Sequence, residues 1–424
     1  MYKIREYGNT AKLIYRKMAG VSSVSLGIWI DTGARNEDVA INGISHFLEH
    51  LVFKGSKNYS GDKIKESIEG VGGALNAFTS EENTCYYAKF LGKHLQNVSR
   101  VLSDMVLFPL LKNEDIEKER TVIIEEIKMY KDLPQFQVQE LFDALVWPDH
   151  PLGRNITGTI ESVGGITRPQ IIDYHNNWYS PASVIIACAG NYDELLLEHF
   201  VAKTFSKLKY TPAQEIFPFI CRARDPQIKV VSKDIEQTHV QLGFPSFNRS
   251  HKDRYALGLM HVILGGNMSS RLFNEVREKK GLAYEIATHV KRLKDTGVFF
   301  VHAGIDNKNL VEASRVIFKE LDRIKKEKVS RGELRRAKDF FMAQTEMALD
   351  DTMEHMLWMG DSLMNLGYIQ TKEEAHRDIE RVTTADILRV ADEIVDWEKL
   401  HFASVGPHAQ KEEQKIKELI TGLA

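Results

Sequence analysis

The amino-acid sequence contains a pattern that occurs twice, once in each half of its 424 residues. Residues 24–28 (VSLGI) are echoed by residues 240–244 (VQLGF), and residues 51–55 (LVFKG) are echoed by residues 262–266 (VILGG). Each half therefore predicts a strand, a turn, a helix and a loop that contains glycine. A repeat period near half of the chain indicates internal duplication. We predict an α+β fold with two homologous mixed α/β domains that face each other.

A polar segment from about residue 209 to 226 separates the two halves. It carries the prolines Pro212, Pro218 and Pro226. Prolines among polar residues are typical of a linker, and a chain of this length exceeds the usual single domain of about 100 to 200 residues. We predict a first domain over 1–210, a linker over 211–226 and a second domain over 227–424.

Charge and cysteine content exclude several classes of protein. Lys plus Arg (56) nearly balance Asp plus Glu (59), so a net charge of -3 does not favour binding to nucleic acid or to an anionic membrane. Cys85, Cys188 and Cys221 lack the spacing of a thiolate zinc site and are too few for a disulfide framework. Because no run reaches the roughly 18 apolar residues of a membrane span and no signal-peptide core is present, we predict a cytoplasmic protein.

Residues 43–53 predict a helix that carries reactive side chains. The string is His46-Phe47-Leu48-Glu49-His50. Four residues advance a helix by about 400°, so His46 and His50 lie within roughly 40° of one face, where two imidazoles can reach one metal ion. Glu49 lies on the same side and can act as general base toward a metal-activated water. The alternative is a helix whose His and Glu side chains are solvated, or a His pair satisfied against the core.

A third metal ligand has to come from another segment, since catalytic zinc usually has three protein ligands. The predicted helix over residues 113–131 offers Glu119 and Glu126, which differ by only about 20° around its axis and border its apolar stripe. Glu125 falls on the opposite, solvent-facing side. Two carboxylates beside a buried face are costly unless a positive group lies near them. The alternative is an ordinary helix flank with two partly exposed glutamates.

At these residues the sequence resembles the inverted-zincin metallopeptidases, a family that includes insulin-degrading enzyme, pitrilysin and the mitochondrial processing peptidase. The family pattern is HxxEH followed, after about seventy-five residues, by a liganding Glu, with a second Glu seven residues before it. The resemblance implies that His46, His50 and Glu126 bind one zinc ion per chain. It implies Glu49 as the general base and Glu119 as a supporting carboxylate.

Residues 75–79 and 84–91 predict two strands on either side of a polar turn. The family resemblance includes these strands and extends along nearly the whole chain. Residues 75–80 look like the family's substrate-binding edge strand, which implies peptide contacts for Asn76, Ala77 and Phe78, with Tyr87 in the position of an active-site tyrosine.

In the second half, residues 276–284 resemble the segment in which an Arg and a Tyr hold substrate, which implies that role for Arg277 and Tyr284. Without the family, these two residues would be a solvated arginine and a half-buried tyrosine.

We therefore predict a zinc-dependent endopeptidase that hydrolyses extended or unfolded peptides in a chamber enclosed by a two-domain clamshell. The second half lacks HxxEH and should bind no catalytic zinc. The length matches short family members that assemble as dimers, so we expect a homodimer, with a heterodimer as the alternative. Two other functions remain open: an active subunit that requires a non-identical partner, and a non-catalytic scaffold of the same fold.

Overall fold

The computed structural model describes residues 2–7, 11–205, 216–220, 226–407 and 410–422. Within these ranges the chain forms eleven strands and fifteen α-helices. The strands are β1 (Lys3–Tyr7), β2 (Ala11–Lys17), β3 (Ser23–Ile30), β4 (Ala74–Thr79), β5 (Thr84–Leu91), β6 (Val184–Gly190), β7 (Gln227–Ser232), β8 (Gln237–Ser246), β9 (Ala283–Arg292), β10 (Gly297–Asp306) and β11 (His401–Gly406). The helices are α1 (Ile44–Val52), α2 (Gly61–Glu69), α3 (Leu95–Leu107), α4 (Asn113–Asp132), α5 (Pro134–Val146), α6 (Ile160–Gly165), α7 (Arg168–Trp178), α8 (Glu194–Phe205), α9 (Arg254–Gly265), α10 (Leu310–Lys326), α11 (Arg331–Ala348), α12 (Thr352–Leu366), α13 (Lys372–Arg381), α14 (Thr384–Ile394) and α15 (Gln410–Thr421).

The first sheet has the strand order β1-β2-β6-β3-β5-β4. β2 and β6 run parallel, and the other neighbours are antiparallel. One face of the sheet packs against α1, α3 and their neighbours in a large apolar core, and the other face packs against α12 in a smaller one. β4 lies at the edge of this sheet, next to the helices of the first half.

The second sheet repeats the arrangement of the first. Its order is β7-β11-β8-β10-β9, with β7 and β11 parallel and the other neighbours antiparallel. Without the hairpin strand β1, the first sheet has the same succession of strands and directions. The predicted duplication is therefore confirmed at the level of topology, although few residues are identical between the halves.

Two compact units are present, and neither is continuous in sequence. The first comprises Met1–Lys128, Arg154–Phe217 and Glu346–Ile369, and the second comprises Met129–Gly153, Pro218–Thr345 and Gln370–Ala424. The contiguous ranges predicted from sequence omit this exchange, in which α5 covers one face of the second sheet and α12 covers one face of the first. An exchanged helix has the same local pattern as any other amphipathic helix, so only tertiary packing reveals it. Of the predicted linker, residues 211–215 and 221–225 lie outside the described residues.

The elements that carry the predicted site form where the apolar periodicity placed them. α1 and α4 match the predicted helices to within a residue or two, and β4 and β5 match the two predicted strands. Within the described part of the chain, no helix is long and apolar enough to cross a membrane. Cys85 and Cys188 are buried free thiols, and Cys221 lies outside the described residues.

Glycines let α12 approach the first sheet closely. A Cβ atom added to Gly360 would lie 2.0 Å from Nε1 of Trp29 on β3, and one added to Gly27 would lie 2.4 Å from the sulfur of Met356. The helix begins at the side chain of Asp351, which accepts a hydrogen bond from the Met353 amide (2.7 Å). The exchanged helix is thus fixed by a cap at its start and by close contact with the first sheet at Met356 and Gly360.

We expect Gly360→Ala to destabilise the protein by about 1 to 3 kcal/mol, because the added methyl group must displace the buried Trp29 ring. Gly164→Ala in α6 is the matched control, since an added Cβ there meets no atom within 4 Å and the helix gains up to about 1 kcal/mol. Urea unfolding midpoints of both variants test this. A Gly360→Ala protein as stable as the parent would contradict the packing described.

Candidate metal centre

Helix α1 presents two histidines and a glutamate beside its buried face. Phe47, Leu48 and Leu51 pack into the core, so the flank with His46, Glu49 and His50 is left for other contacts. The two imidazole rings lie one turn apart, with centroids separated by 4.7 Å and planes at 70°. The helical geometry predicted for this motif is the geometry observed.

Helix α4 brings a carboxylate to both imidazoles. Oε2 of Glu126 lies 3.8 Å from Nε2 of His46 and 3.7 Å from Nε2 of His50. These distances are too long for hydrogen bonds, yet the three ligand atoms all lie within 4.8 Å of one another. Ligands around one tetrahedral zinc ion are about 3.3 to 3.6 Å apart, so the two distances to Glu126 already approach that range, while the widest pair would have to close by about 1 Å around a metal. Among the described residues, His46, His50 and Glu126 form the one group of at least three His, Cys, Asp or Glu side chains that could hold a metal ion.

A second glutamate orients one of these imidazoles. Oε2 of Glu119 lies 3.1 Å from Nδ1 of His50, and Oε1 lies 2.6 Å from the ammonium of Lys54. An ionised carboxylate there accepts a hydrogen bond from the Nδ1–H group of His50, which keeps the proton on Nδ1 and leaves the lone pair on Nε2, the atom that faces Glu126. Glu119 thus lies where a carboxylate can orient the ring of His50, while the sequence analysis did not include Lys54. Lys54 lies in the turn that follows the end of α1 at Val52, so helical spacing alone did not indicate this contact.

The other imidazole is neutral and incompletely satisfied. Burial, together with the neighbouring His50, lowers the pKa of His46 to about 4. Its Nδ1 is buried and has no hydrogen-bond partner among the described residues. A neutral ring in this position offers a free lone pair, as metal ligation requires. The donor chemistry therefore fits a divalent metal better than it fits a structural histidine.

Glu49 is held at the side of the cluster and is not part of the ligand group. Its Oε2 accepts a hydrogen bond from the hydroxyl of Thr79 on β4 (2.5 Å). Burial raises the pKa of Glu49 above its usual value, while the Thr79 hydroxyl and His50 lower it in part. A carboxylate with a raised pKa is suited to exchange protons near neutral pH. Thr79 belongs to the predicted strand, but its role depends on a contact between strand and helix that the sequence did not indicate.

The side chain of Arg120 fixes α4 against α1. Its guanidinium lies 5.4 Å from the centre of the Phe47 ring, and Nη2 donates to the carbonyl of Ile166 (2.8 Å). Because Arg120 follows Glu119 directly, this contact also sets the position of the supporting carboxylate. The spacing between the two ligand-bearing helices is therefore determined by packing outside the site.

The predicted substrate-binding strand β4 is the edge strand of its sheet, and no described strand pairs with its outer edge. Its side chains divide between the two faces. Ala77 packs into the core on the α1 side, whereas Phe78 packs with Tyr87 against the α12 side, with ring centroids 6.2 Å apart. Asn76 is exposed and accepts a hydrogen bond from the Ala77 amide (2.8 Å). The structure thus brings Ala77, but not the rings of Phe78 and Tyr87, to the face that carries α1.

The structure brings Arg277 and Tyr284 together in the second unit. Arg277 lies on a π-helix, Phe273–Glu278, and its guanidinium is 4.8 Å from the Phe273 ring centre and 5.4 Å from that of Tyr284. Tyr284 is 74% exposed. A partly exposed arginine between two rings keeps most of its N–H donors available for a ligand. π-Helical turns occur often at functional sites.

The sequence was compared with models of known protein families. A model described as Insulinase (Peptidase family M16) matches residues 12–160. A second, described as Peptidase M16 inactive domain, matches residues 165–341. The first match contains His46, His50 and Glu126, the group that could hold a metal ion, and the second covers the segment with Arg277 and Tyr284.

Similar full-length proteins are known in several bacteria. An uncharacterized zinc protease of Mycobacterium tuberculosis is 34% identical over 403 residues, which cover 94% of this chain and 92% of that protein. The uncharacterized zinc protease YmxG of Bacillus subtilis is 34% identical over 382 residues, which cover 88% and 91%.

The crystal structure of a protease from Helicobacter pylori superimposes with a TM-score of 0.90, at 24% identity, over 96% of this chain and 99% of the other. At that level of identity the likeness establishes the fold alone. The relatives from Mycobacterium tuberculosis and Bacillus subtilis are more than 30% identical to this chain over most of their length, and the two family models match successive segments of it. The chain therefore belongs to peptidase family M16.

Proposed function

We propose that this protein is a zinc-dependent endopeptidase that hydrolyses extended peptides. The observation that carries the proposal is the convergence of His46, His50 and Glu126 on one point, with Glu49 beside them on the same helix. The similarity to proteins named zinc proteases supports zinc as the metal.

The donor set suits zinc, which binds imidazole nitrogen and carboxylate oxygen and keeps an open position at catalytic sites. When bound, zinc supplies a Lewis acid that polarises the scissile carbonyl and lowers the pKa of a water molecule toward neutrality. His46 and His50 would bind through their ring nitrogens and Glu126 through Oε2. Glu119 would hold the ring of His50 in the required orientation.

Glu49 would move the proton that hydrolysis requires. Its Oε2 is held by Thr79, so Oε1 is the atom that can accept a proton from the attacking water. The same carboxyl group can then donate that proton to the nitrogen of the leaving amine. The raised pKa of Glu49, caused by burial, brings both transfers closer to neutral pH.

The open edge of β4 would bind the peptide as an additional strand through backbone hydrogen bonds. Such contacts are nearly independent of side chains, so Asn76 and Ala77 would align many sequences. Arg277 and Tyr284 would bind carbonyl or carboxylate oxygens of the substrate. The enclosing chamber, the dimer and the cytoplasmic location stay predictions.

An active subunit that needs a non-identical partner, or a non-catalytic scaffold, remains the alternative to an independent enzyme. A scaffold has no need of a supporting carboxylate on His50 or of a hydrogen-bonded base beside it, and both are present. Incubating the purified protein with a mixed peptide library, with and without a chelator, tests the proposal. Absence of chelator-sensitive cleavage would favour the alternatives.

We expect Glu126→Gln to lose zinc, because a neutral amide is a poorer ligand than a carboxylate. Glu125→Gln is the matched control, since Glu125 is exposed on the same helix and pairs with Lys128 (2.7 Å). Metal analysis after dialysis should show a lower zinc content only for Glu126→Gln. Equal zinc content in the two variants would remove Glu126 from the ligand set.

Glu49→Gln should retain zinc and lose peptide hydrolysis by at least about a hundredfold, because Glu49 is a base and not a ligand. The expected split is an unchanged metal content with a strongly reduced kcat. Thr79→Val, which removes the hydrogen bond to Glu49 alone, should show a smaller loss of the same kind. A Glu49→Gln variant that cleaves peptides at the parental rate would contradict the mechanism.

Arg277→Ala should lower kcat/KM by about ten- to a thousandfold, the range found when one transition-state donor is removed. Zinc content and thermal stability should stay unchanged. Lys279→Ala, an exposed position close by, serves as the control. Parental turnover in Arg277→Ala would show that Arg277 is a solvated surface residue with no role in substrate binding, and would remove the support for such a role of Tyr284.

A further inference from the structure

The carboxylate of Glu37 is fully buried and lies outside the predicted site. It faces three N–H donors at the start of α1. Oε2 accepts hydrogen bonds from the Gly43 amide (2.7 Å) and from Nδ2 of Asn42 (2.9 Å), and Oε1 accepts one from the Ser45 amide (2.9 Å). A negative charge at the first amides of a helix satisfies groups that lack partners and matches the helix dipole. Glu37 is therefore the N-terminal cap of the metal-ligand helix.

The helix depends on this distant cap because its own N-cap position offers no side chain. Gly43 has φ of 95°, a conformation that favours glycine, and makes no side-chain cap bond. A Cβ atom there would lie 2.6 Å from the carbonyl oxygen of Thr157. The close passage of residues 157–158 excludes the usual Ser, Thr or Asp cap, and Glu37 supplies the acceptors instead.

The cap is anchored to elements on several sides. Nη2 of Arg154 donates to the carbonyl of Glu37 (2.7 Å), and Nδ2 of Asn42 also donates to the carbonyl of Asn155 (3.1 Å). The hydroxyl of Tyr174 lies 2.7 Å from the Ser45 hydroxyl and 2.7 Å from that of Thr32. The start of α1 is thus tied to α7 and to the end of β3.

His46 follows the clamped residue Ser45 directly, and His50 lies one turn further along the same helix. Each residue rotates a helix by about 100°, so a shift at the start of α1 redirects both imidazoles. Metal ligands must be held to within about 0.5 Å of their productive positions. We propose that Glu37 is a positioning residue that sets the orientation of the metal-ligand helix and thereby the affinity of the site for zinc. This inference rests on the proposed function, which supplies the metal.

The test compares Glu37→Gln with Glu320→Gln. Glu320 is another buried carboxylate, 4% exposed, on α10 in the other unit, and it faces no metal ligand. Two quantities are measured on the full chain: retention of zinc against a competing chelator, and amide hydrogen exchange of residues 43–47 in the metal-free protein. Glu37→Gln should weaken zinc binding about ten- to a hundredfold, the range for residues that support metal ligands, and should speed that exchange about tenfold. Glu320→Gln should leave both within twofold.

Zinc affinity and exchange rates at parental values in Glu37→Gln would overturn the proposal, as would an equal loss of zinc in Glu320→Gln. Should Glu37→Gln fail to fold, Asn42→Ala replaces it, since it removes one donor to Oε2 and leaves the carboxylate in place. It should weaken zinc binding several-fold, and parental values would overturn the proposal equally. Absence of zinc from the parental protein would instead refute the proposed function, while the exchange measurement would still test the cap.

Discussion

The candidate site depends on electrostatic compensation, because it brings several carboxylates close together in a partly buried place. Between α1 and α4, the carboxylates of Glu49, Glu119 and Glu126 lie close to two imidazole rings. The ammonium group of Lys54 forms an ion pair with Glu119 in this cluster. Burial lowers the pKa of His46, so that ring contributes no positive charge at neutral pH. Carboxylates in such surroundings are unfavourable unless a cation neutralises them, and a divalent metal between the ring nitrogens would supply that charge.

The rest of the first unit holds these side chains in their positions. Apolar residues of α1 and α4 join one core, and Arg120 adds a contact from α4 to the Phe47 ring. Glu37 fixes the beginning of α1, and Thr79 connects β4 to Glu49. Helix α1 and the edge strand β4 are therefore packed and hydrogen-bonded into one rigid part of the first unit, with Glu49 between them.

The sequence predicted the parts of this assembly that obey a local period. His46, Glu49 and His50 share a flank because a helix turns once in 3.6 residues, and Glu119 and Glu126 share one for the same reason. The duplication could be read from recurring strand and helix patterns. Contacts between distant segments left no such signal: the exchanged helices α5 and α12, the hydroxyl of Thr79 and the cap at Glu37 depend on tertiary packing. For Tyr87, the sequence predicted the strand but not the face of the sheet on which its side chain packs.

X-ray absorption at the zinc edge of the purified parental protein tests directly whether His46, His50 and Glu126 bind zinc. We expect one zinc per chain with two imidazoles and one carboxylate as protein ligands, at about 2.0 to 2.2 Å, and a further oxygen or nitrogen ligand in the open position. The outer-shell scattering of imidazole carbons counts the histidines. A sulfur ligand, a third imidazole or a single imidazole would contradict the site formed by His46, His50 and Glu126.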